Sequence, residues 1–151
     1  MIYQTRYEKG EYGFTLAEII IVLGVFSLFA AISVSLYSNF KYGSNLDIAV
    51  ANVVEAMRKA QANAEQGQDD SQWGVMIAGS ELVIFEGPSY VGRNITSDIP
   101  MSLPAGAMAS GYSEFVFQEN TGYPVNTGTV TVSDREINKD ISINEKGTIS
   151  Y

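Results

Sequence analysis

The chain has 151 residues, with 9 Lys and Arg against 17 Asp and Glu, and a formal net charge of −8 at pH 7. It contains neither histidine nor cysteine, which excludes Ser-His-Asp and Cys-His catalysis, thiol redox chemistry, ordinary zinc sites and disulfides. A chain this acidic repels phosphate backbones, so we expect no nucleic-acid partner. Its length allows one domain and one further element.

One apolar run near the N-terminus predicts the topology. Residues 19–36 read IIIVLGVFSLFAAISVSL and include neither a charge nor a proline. As a helix this run extends about 27 Å, close to the hydrocarbon thickness of a bilayer. Arg6 and Lys9 precede it and a long acidic part follows. The positive-inside rule therefore predicts a single-pass protein of the cell (inner) membrane, with a cytoplasmic N-terminus and an extracytoplasmic C-terminal domain.

Glu18 is the residue that a simple membrane segment leaves unexplained. A carboxylate at the start of an apolar run is costly in lipid and requires a partner. A cleaved secretory signal and a plain signal anchor remain alternatives for the run, but neither accounts for Glu18. A buried helix of a soluble domain is a third alternative, and the sheet-like remainder is too small to cover such a helix on all sides.

The motif Gly-Phe-Thr-Leu-Ala-Glu at residues 13–18, followed at once by the apolar run, resembles the class III signal of type IV prepilins. The resemblance implies a leader of residues 1–13, cut by prepilin peptidase between Gly13 and Phe14, and N-methylation of Phe14. It also implies that Glu18 forms an assembly salt bridge with the new amino group of a neighbouring subunit. The leader departs from the family pattern, because Glu11-Tyr12 stands where many leaders carry Lys or Arg.

The remaining sequence predicts an α+β domain. Residues 14–36 form the transmembrane and assembly half of a long helix, and residues 37–66 form its amphipathic half, which we expect to end at Gly67. In that second half, apolar residues recur at steps of four and three residues, which indicates a stripe packed on a sheet: Leu46, Val50, Val53, Met57, Ala60 and Ala64.

Residues 67–151 change to short strand-like runs separated by turns, which predicts an extracytoplasmic antiparallel β-sheet under the helix. We expect strands at 73–77, 82–85, 115–117, 129–132, 141–143 and 148–151. Gly87-Pro88, the stretch from Pro100 to Pro104, and Tyr123-Pro124 indicate loops.

The order of these pieces resembles the GspH/FimT-type minor pilins and pseudopilins. The resemblance rests on Trp73-Gly74-Val75, then the sequences FEGPSY at 85–90 and LPAG at 103–106, and then FVF at 115–117, TGYP at 121–124 and ISINEKGTI at 141–149. It implies the pilin fold and a non-enzymatic structural subunit of a type IV pilus or type II secretion pseudopilus, in a minor or priming role. The sequence leaves open whether the subunit belongs to a pilus, a secretion system or a competence system. It also leaves open whether the subunit is a major or a minor one.

The implied partners are other pilin or pseudopilin subunits, prepilin peptidase, the membrane assembly platform and, before assembly, membrane lipid. We expect no cofactor, no catalytic residue and no metal site. Asp69-Asp70, just past the helix, fits a solvated loop better than a calcium ligand pair, and Asp134, Glu136 and Asp140 lack the EF-hand spacing. The alternative function is a signal-anchored extracytoplasmic binding module or enzyme that does not polymerise.

Overall fold

The computed structural model describes residues 13–135 and 137–151, without the side chains of residues 32–43. Helix α1 is assigned from Leu16 to Glu65, and a short 3-10 helix follows at Gln68–Asp70. Contacts divide the chain into two units, Met1–Ser38 and Asn39–Tyr151. The domain boundaries predicted from the sequence, at residues 13, 36 and 66, stay predictions.

In the second unit, α1 has one buried face between residues 44 and 65. The predicted stripe is confirmed, because all six of its residues are buried: Leu46, Val50, Val53, Met57, Ala60 and Ala64. The stripe shares one hydrophobic core with strand residues such as Trp73 and Phe115. Each large side chain buried there contributes about 1.5–3 kcal/mol of transfer free energy, so the helix and the strands stabilise each other.

The strands form two four-stranded sheets in which every neighbouring pair is antiparallel. The first sheet has the order β3-β2-β1-β5 and contains β1 (Trp73–Ala78), β2 (Glu81–Glu86), β3 (Asn94–Ser102) and β5 (Glu114–Phe117). The second has the order β4-β6-β7-β8 and contains β4 (Ala107–Gly111), β6 (Gly128–Asp134), β7 (Ile137–Ile143) and β8 (Ile149–Ser150). The α+β class and the antiparallel pairing are confirmed, although the strands form two sheets rather than one.

The prediction of a loop from Pro100 to Pro104 is wrong at its start, because Pro100 lies inside β3. The N–H of Leu103 donates to the carbonyl oxygen of Ser80 at 2.9 Å. Backbone groups alternate in direction along an antiparallel strand, so position 100 directs its nitrogen away from β2. Proline is tolerated there, because no ladder hydrogen bond requires its missing N–H.

The end of α1 is tied to two loops of the same unit. The side-chain amide of Gln61 donates to the carbonyl oxygens of Gly122 at 3.1 Å and Gly147 at 3.3 Å. The backbone N–H of Asn120 donates to the carbonyl oxygen of Ala64 at 2.8 Å. Gly67 adopts the left-handed conformation, with φ 63°, and this confirms it as the glycine that follows the helix.

Candidate functional site

The predicted processing residues lie where α1 begins. Gly13 and Phe14 are outside the helix, and 80% of the surface of Phe14 is exposed. The N–H of Glu18 lies 3.2 Å from the hydroxyl oxygen of Thr15 and 3.1 Å from its carbonyl oxygen. Thr15 is therefore the N-cap of α1, and Glu18 occupies the third helical position of a Thr-x-x-Glu capping pattern.

This cap has a consequence for the peptide bond between Gly13 and Phe14. Proteases bind their substrates in extended form, and a bond within a helix must unwind before it can be cut. Because Thr15 ends the helix on its N-terminal side, this bond precedes the first helical turn. A Cβ atom added at Gly13 would meet no heavy atom within 4 Å, so the site is sterically open.

Residues 16–31 of α1 present apolar side chains on all sides. The large ones are 45–78% exposed: Leu16, Ile19, Ile20, Ile21, Val22, Leu23, Val25, Phe26, Leu28 and Phe29. Glu18 is the one charged residue in this stretch. The hydroxyl of Ser27 donates to the carbonyl oxygen of Leu23 at 2.8 Å, which satisfies its polar group within the helix. A helix that is apolar on every side requires a lipid or protein environment.

The predicted membrane-spanning half, residues 14–36, extends into positions 32–36, whose side chains lie outside the described part of the chain. Within that described part, the structure contains no helix long and apolar enough to cross a membrane.

A second surface feature was not predicted. An open groove of about 660 Å³ runs along α1 in the second unit, with Val50 and Val54 at its base. Arg58, Lys59 and Lys139 line it together with Asp47. The Nζ atom of Lys139 donates to Oδ1 of Asp47 at 2.9 Å. Lys139 is 80 to 92 positions away from the helix residues that line this groove, so no local pattern in the sequence indicates it.

No family model, curated protein or solved structure matches this chain. Three features of the chain itself therefore bear on its function: the motif at 13–18, the exposed apolar stretch at 16–31 and the groove.

The acidic residues that the sequence analysis considered as metal ligands do not form a cluster among the described residues. No group of three or more potential ligands lies together in this part of the chain. Asp134 is buried, whereas Asp140 accepts a hydrogen bond from the Thr131 hydroxyl at 2.7 Å. The register pairs Asp140 with Thr131, three positions from Asp134, so the two carboxylates are on opposite faces of the sheet. Glu136 lies outside the described residues.

Proposed function

We propose that this chain is a structural, non-enzymatic subunit of a type IV pilus or type II secretion pseudopilus, of the minor or priming GspH/FimT-like kind. The single observation that carries the proposal is the stretch of α1 at residues 16–31. It exposes large apolar side chains on every side and carries one charge, Glu18, in its first turn. A second such helix, or lipid, is the environment that this surface fits.

The proposed cycle begins with the apolar stretch held in the membrane. Prepilin peptidase cuts after Gly13, and the new amino group of Phe14 is methylated. This amino group is then four residues from Glu18 on the same chain, at nearly the same depth. When a second helix packs with an axial stagger, the amino group of one copy meets the Glu18 carboxylate of the other.

The Glu18 carboxylate has a lower free energy in lipid when it is paired with an amino group than when it is isolated. Two unit charges about 4 Å apart gain on the order of 4 kcal/mol at an effective dielectric constant of ~20. An isolated carboxylate in the hydrocarbon loses several kcal/mol, and less near the interface. Pairing therefore offsets the cost of Glu18 and also fixes the register of neighbouring helices, as a buried polar residue does in a coiled coil.

The second unit supports the same proposal through its core. Residues 44–65 of α1 bury one stripe against the strands, so the opposite face of this part of the helix is left for contacts with other molecules. A membrane-stored filament subunit requires both a folded unit and an apolar helix in one chain.

Mass spectrometry of the protein co-produced with a prepilin peptidase tests the proposal. We expect a mature N-terminus at methylated Phe14. Gly13→Leu is expected to block cleavage, while Gly10→Leu, a change of the same type within the leader, is expected to leave it intact. An N-terminus that stays at Met1 would contradict the proposal, and a cut near Ser33 would favour a secretory signal instead.

A further inference from the structure

Asp134 is the only charged side chain that is buried in the described part of the chain, with 2% of its surface exposed. It ends β6 and lies on the same face of the sheet as Val130 and Val132, which belong to the core. Its Oδ2 atom is shielded from solvent and has no hydrogen-bond partner among the described residues. This oxygen atom is therefore left without the contact that a buried polar group requires.

A buried carboxylate also requires a source of positive charge. Removing an ionised group from water is costly, and proteins that bury one pair it with a cation or neutralise it. Among the described residues no ion pair joins Asp134 to Arg135 or to Lys139, and Lys139 contacts Asp47 instead. A bound water would supply a hydrogen bond but no charge. The site therefore fits a small cation or a proton.

The surrounding backbone leaves room beside this carboxylate. The register pairs Asp134 with Ala107 in β4 and with Ile137 in β7, so Asp134 lies where β4 begins and where β6 turns into β7. The N–H of Ala107 donates to the carbonyl oxygen of Pro104 at 3.0 Å, which closes a turn in which Gly106 has φ 97°. A Cβ atom added at Gly106 would lie 3.3 Å from Oδ1 of Asp134. Glycine therefore keeps the space next to the carboxylate open.

The ligands at this place favour one kind of cation. Hard cations bind carboxylate and backbone carbonyl oxygens, and turns carry carbonyl oxygens that the strand ladders do not use. One carboxylate balances one positive charge, whereas a divalent ion would leave an excess charge in the interior. In the described residues no group of three or more potential metal-ligating side chains lies together. A monovalent metal cation therefore fits this carboxylate best.

We propose that Asp134 and the backbone carbonyl oxygens of the adjoining turns bind a monovalent metal cation of the size of Na⁺. The cation neutralises the buried carboxylate and ties the start of β4 to the end of β6. Because only the folded unit forms this arrangement, binding stabilises the folded state. The sequence analysis expected no metal site, and a single aspartate leaves no pattern that would indicate one. The inference goes beyond the proposed function, since it requires neither cleavage nor filament assembly.

Thermal unfolding of the full chain in non-ionic detergent micelles tests the proposal. The readout is the fluorescence of Trp73, the single tryptophan, which is buried in the second unit. Sodium chloride and choline chloride are compared at equal ionic strength, so that the screening of surface charges is the same in both. We expect a melting temperature higher by about 3 °C or more in about 0.2 M Na⁺, as for a ligand that binds only the folded state.

Replacing the carboxylate tests whether Asp134 binds the cation. Asp134→Asn keeps the shape of the side chain and removes its charge. We expect this variant to lose the dependence on Na⁺ and to melt in choline chloride no lower than the unmodified chain, because a buried charge has been removed. Asp140→Asn, the same change at an exposed carboxylate of β7, is expected to keep the full dependence.

Replacing Gly106 tests the space beside the carboxylate. In Gly106→Ala the new Cβ atom would crowd Oδ1 of Asp134, so we expect this variant to need about tenfold more Na⁺ for the same rise in melting temperature. Gly79→Ala is the matched control, because Gly79 also has a positive φ, 62°, but a Cβ atom there would meet its nearest heavy atom at 3.9 Å. Both variants carry backbone strain, and only the first should change the response to Na⁺.

Three results would overturn the proposal. Equal melting temperatures of the unmodified chain in sodium chloride and choline chloride would leave a proton as the neutralising group. A rise in about 1 mM Ca²⁺ without a rise in Na⁺ would assign the site to a divalent ion. A Na⁺ effect of the same size in the Asp134→Asn protein would place the bound cation elsewhere in the chain.

Discussion

The backbone N–H of Glu18 lies 3.2 Å from the hydroxyl oxygen of Thr15. This contact joins two properties that the N-terminal motif requires. It fixes the first turn of α1, and it keeps the bond between Gly13 and Phe14 outside the helix.

Replacing Thr15 tests the cap. Thr15→Val keeps the shape of the side chain but removes the accepting hydroxyl oxygen, and such losses at an N-cap typically cost about 1 kcal/mol. We expect faster hydrogen exchange at the Glu18 amide, because the first turn of α1 opens more often without its cap. Thr15→Ser keeps the oxygen and serves as the matched control, for which we expect exchange like that of the unmodified chain. Equal exchange in both variants would show that the cap has no role.

Replacing Glu18 tests the assembly salt bridge. Glu18→Gln preserves size but removes the charge, so the attraction to a neighbouring amino group is lost. We expect loss of filament assembly, measured by electron microscopy of sheared material, with an unchanged thermal melt of the second unit. Glu55→Gln, at an exposed position of the same helix, is the control and should assemble. Normal filaments of the Glu18→Gln protein would argue for a non-polymerising anchor.

Gln61 stabilises the second unit through two loops. Gln61→Ala leaves the carbonyl oxygens of Gly122 and Gly147 without their donor in a partly buried site, which typically costs about 1–3 kcal/mol. We expect that loss in the free energy of unfolding, measured by chemical denaturation. Gln66→Ala changes an exposed glutamine one residue after α1 and is expected to cost less than about 0.5 kcal/mol. Similar losses in the two variants would contradict this role of Gln61.

Arg93 holds the loop between β2 and β3. Its Nε lies 2.9 Å from both carboxylate oxygens of Asp98, its Nη1 donates to the Tyr90 carbonyl oxygen at 2.6 Å, and its guanidinium carbon lies 3.8 Å from the centre of the Tyr90 ring. Lysine lacks this planar set of donors, so Arg93→Lys is expected to destabilise the protein by about 1–2 kcal/mol.

The Arg93 prediction is checked by hydrogen exchange at Tyr90, which should become faster, and by the melting temperature, which should fall. Arg58→Lys is the matched control, because Arg58 is exposed and no ion pair of it is found in the described residues. A melting temperature that falls equally in both variants would assign the effect to arginine in general.

Much of the second unit follows from local patterns. The stripe from Leu46 to Ala64 has helical spacing, and β1, β2 and β5 are rich in aromatic and branched residues. Strand β4 was missed because Ala107–Gly111 has small side chains and weak strand preference. It becomes a strand through its partners, since Ala109 pairs with Val132 and donates to the carbonyl oxygen of Gly79. Such long-range bonds leave no local signal.

In the candidate site, too, the sequence indicates some residues and gives no local signal for others. Glu18 is visible in the sequence because a lone carboxylate in an apolar run is costly, and Thr15 precedes it at capping distance. The sequence does not indicate the groove, because Val50 and Val54 belong to α1 and Lys139 belongs to β7. Because of Pro100, the sequence predicted a loop where β3 lies. Proline is compatible with an edge strand when its backbone nitrogen points away from the neighbouring strand, and the sequence does not show that direction.

The core contacts also determine when the second unit acquires its structure during synthesis. The stripe on α1 emerges early from the ribosome, but Ile141 and Ile143, which help to cover it, are both fully or almost fully buried and come nearly eighty residues later. Closing the core therefore awaits the last strands, as is general for folds rich in distant contacts. The nascent chain therefore keeps the helix stripe uncovered until residues 141 and 143 have been synthesised.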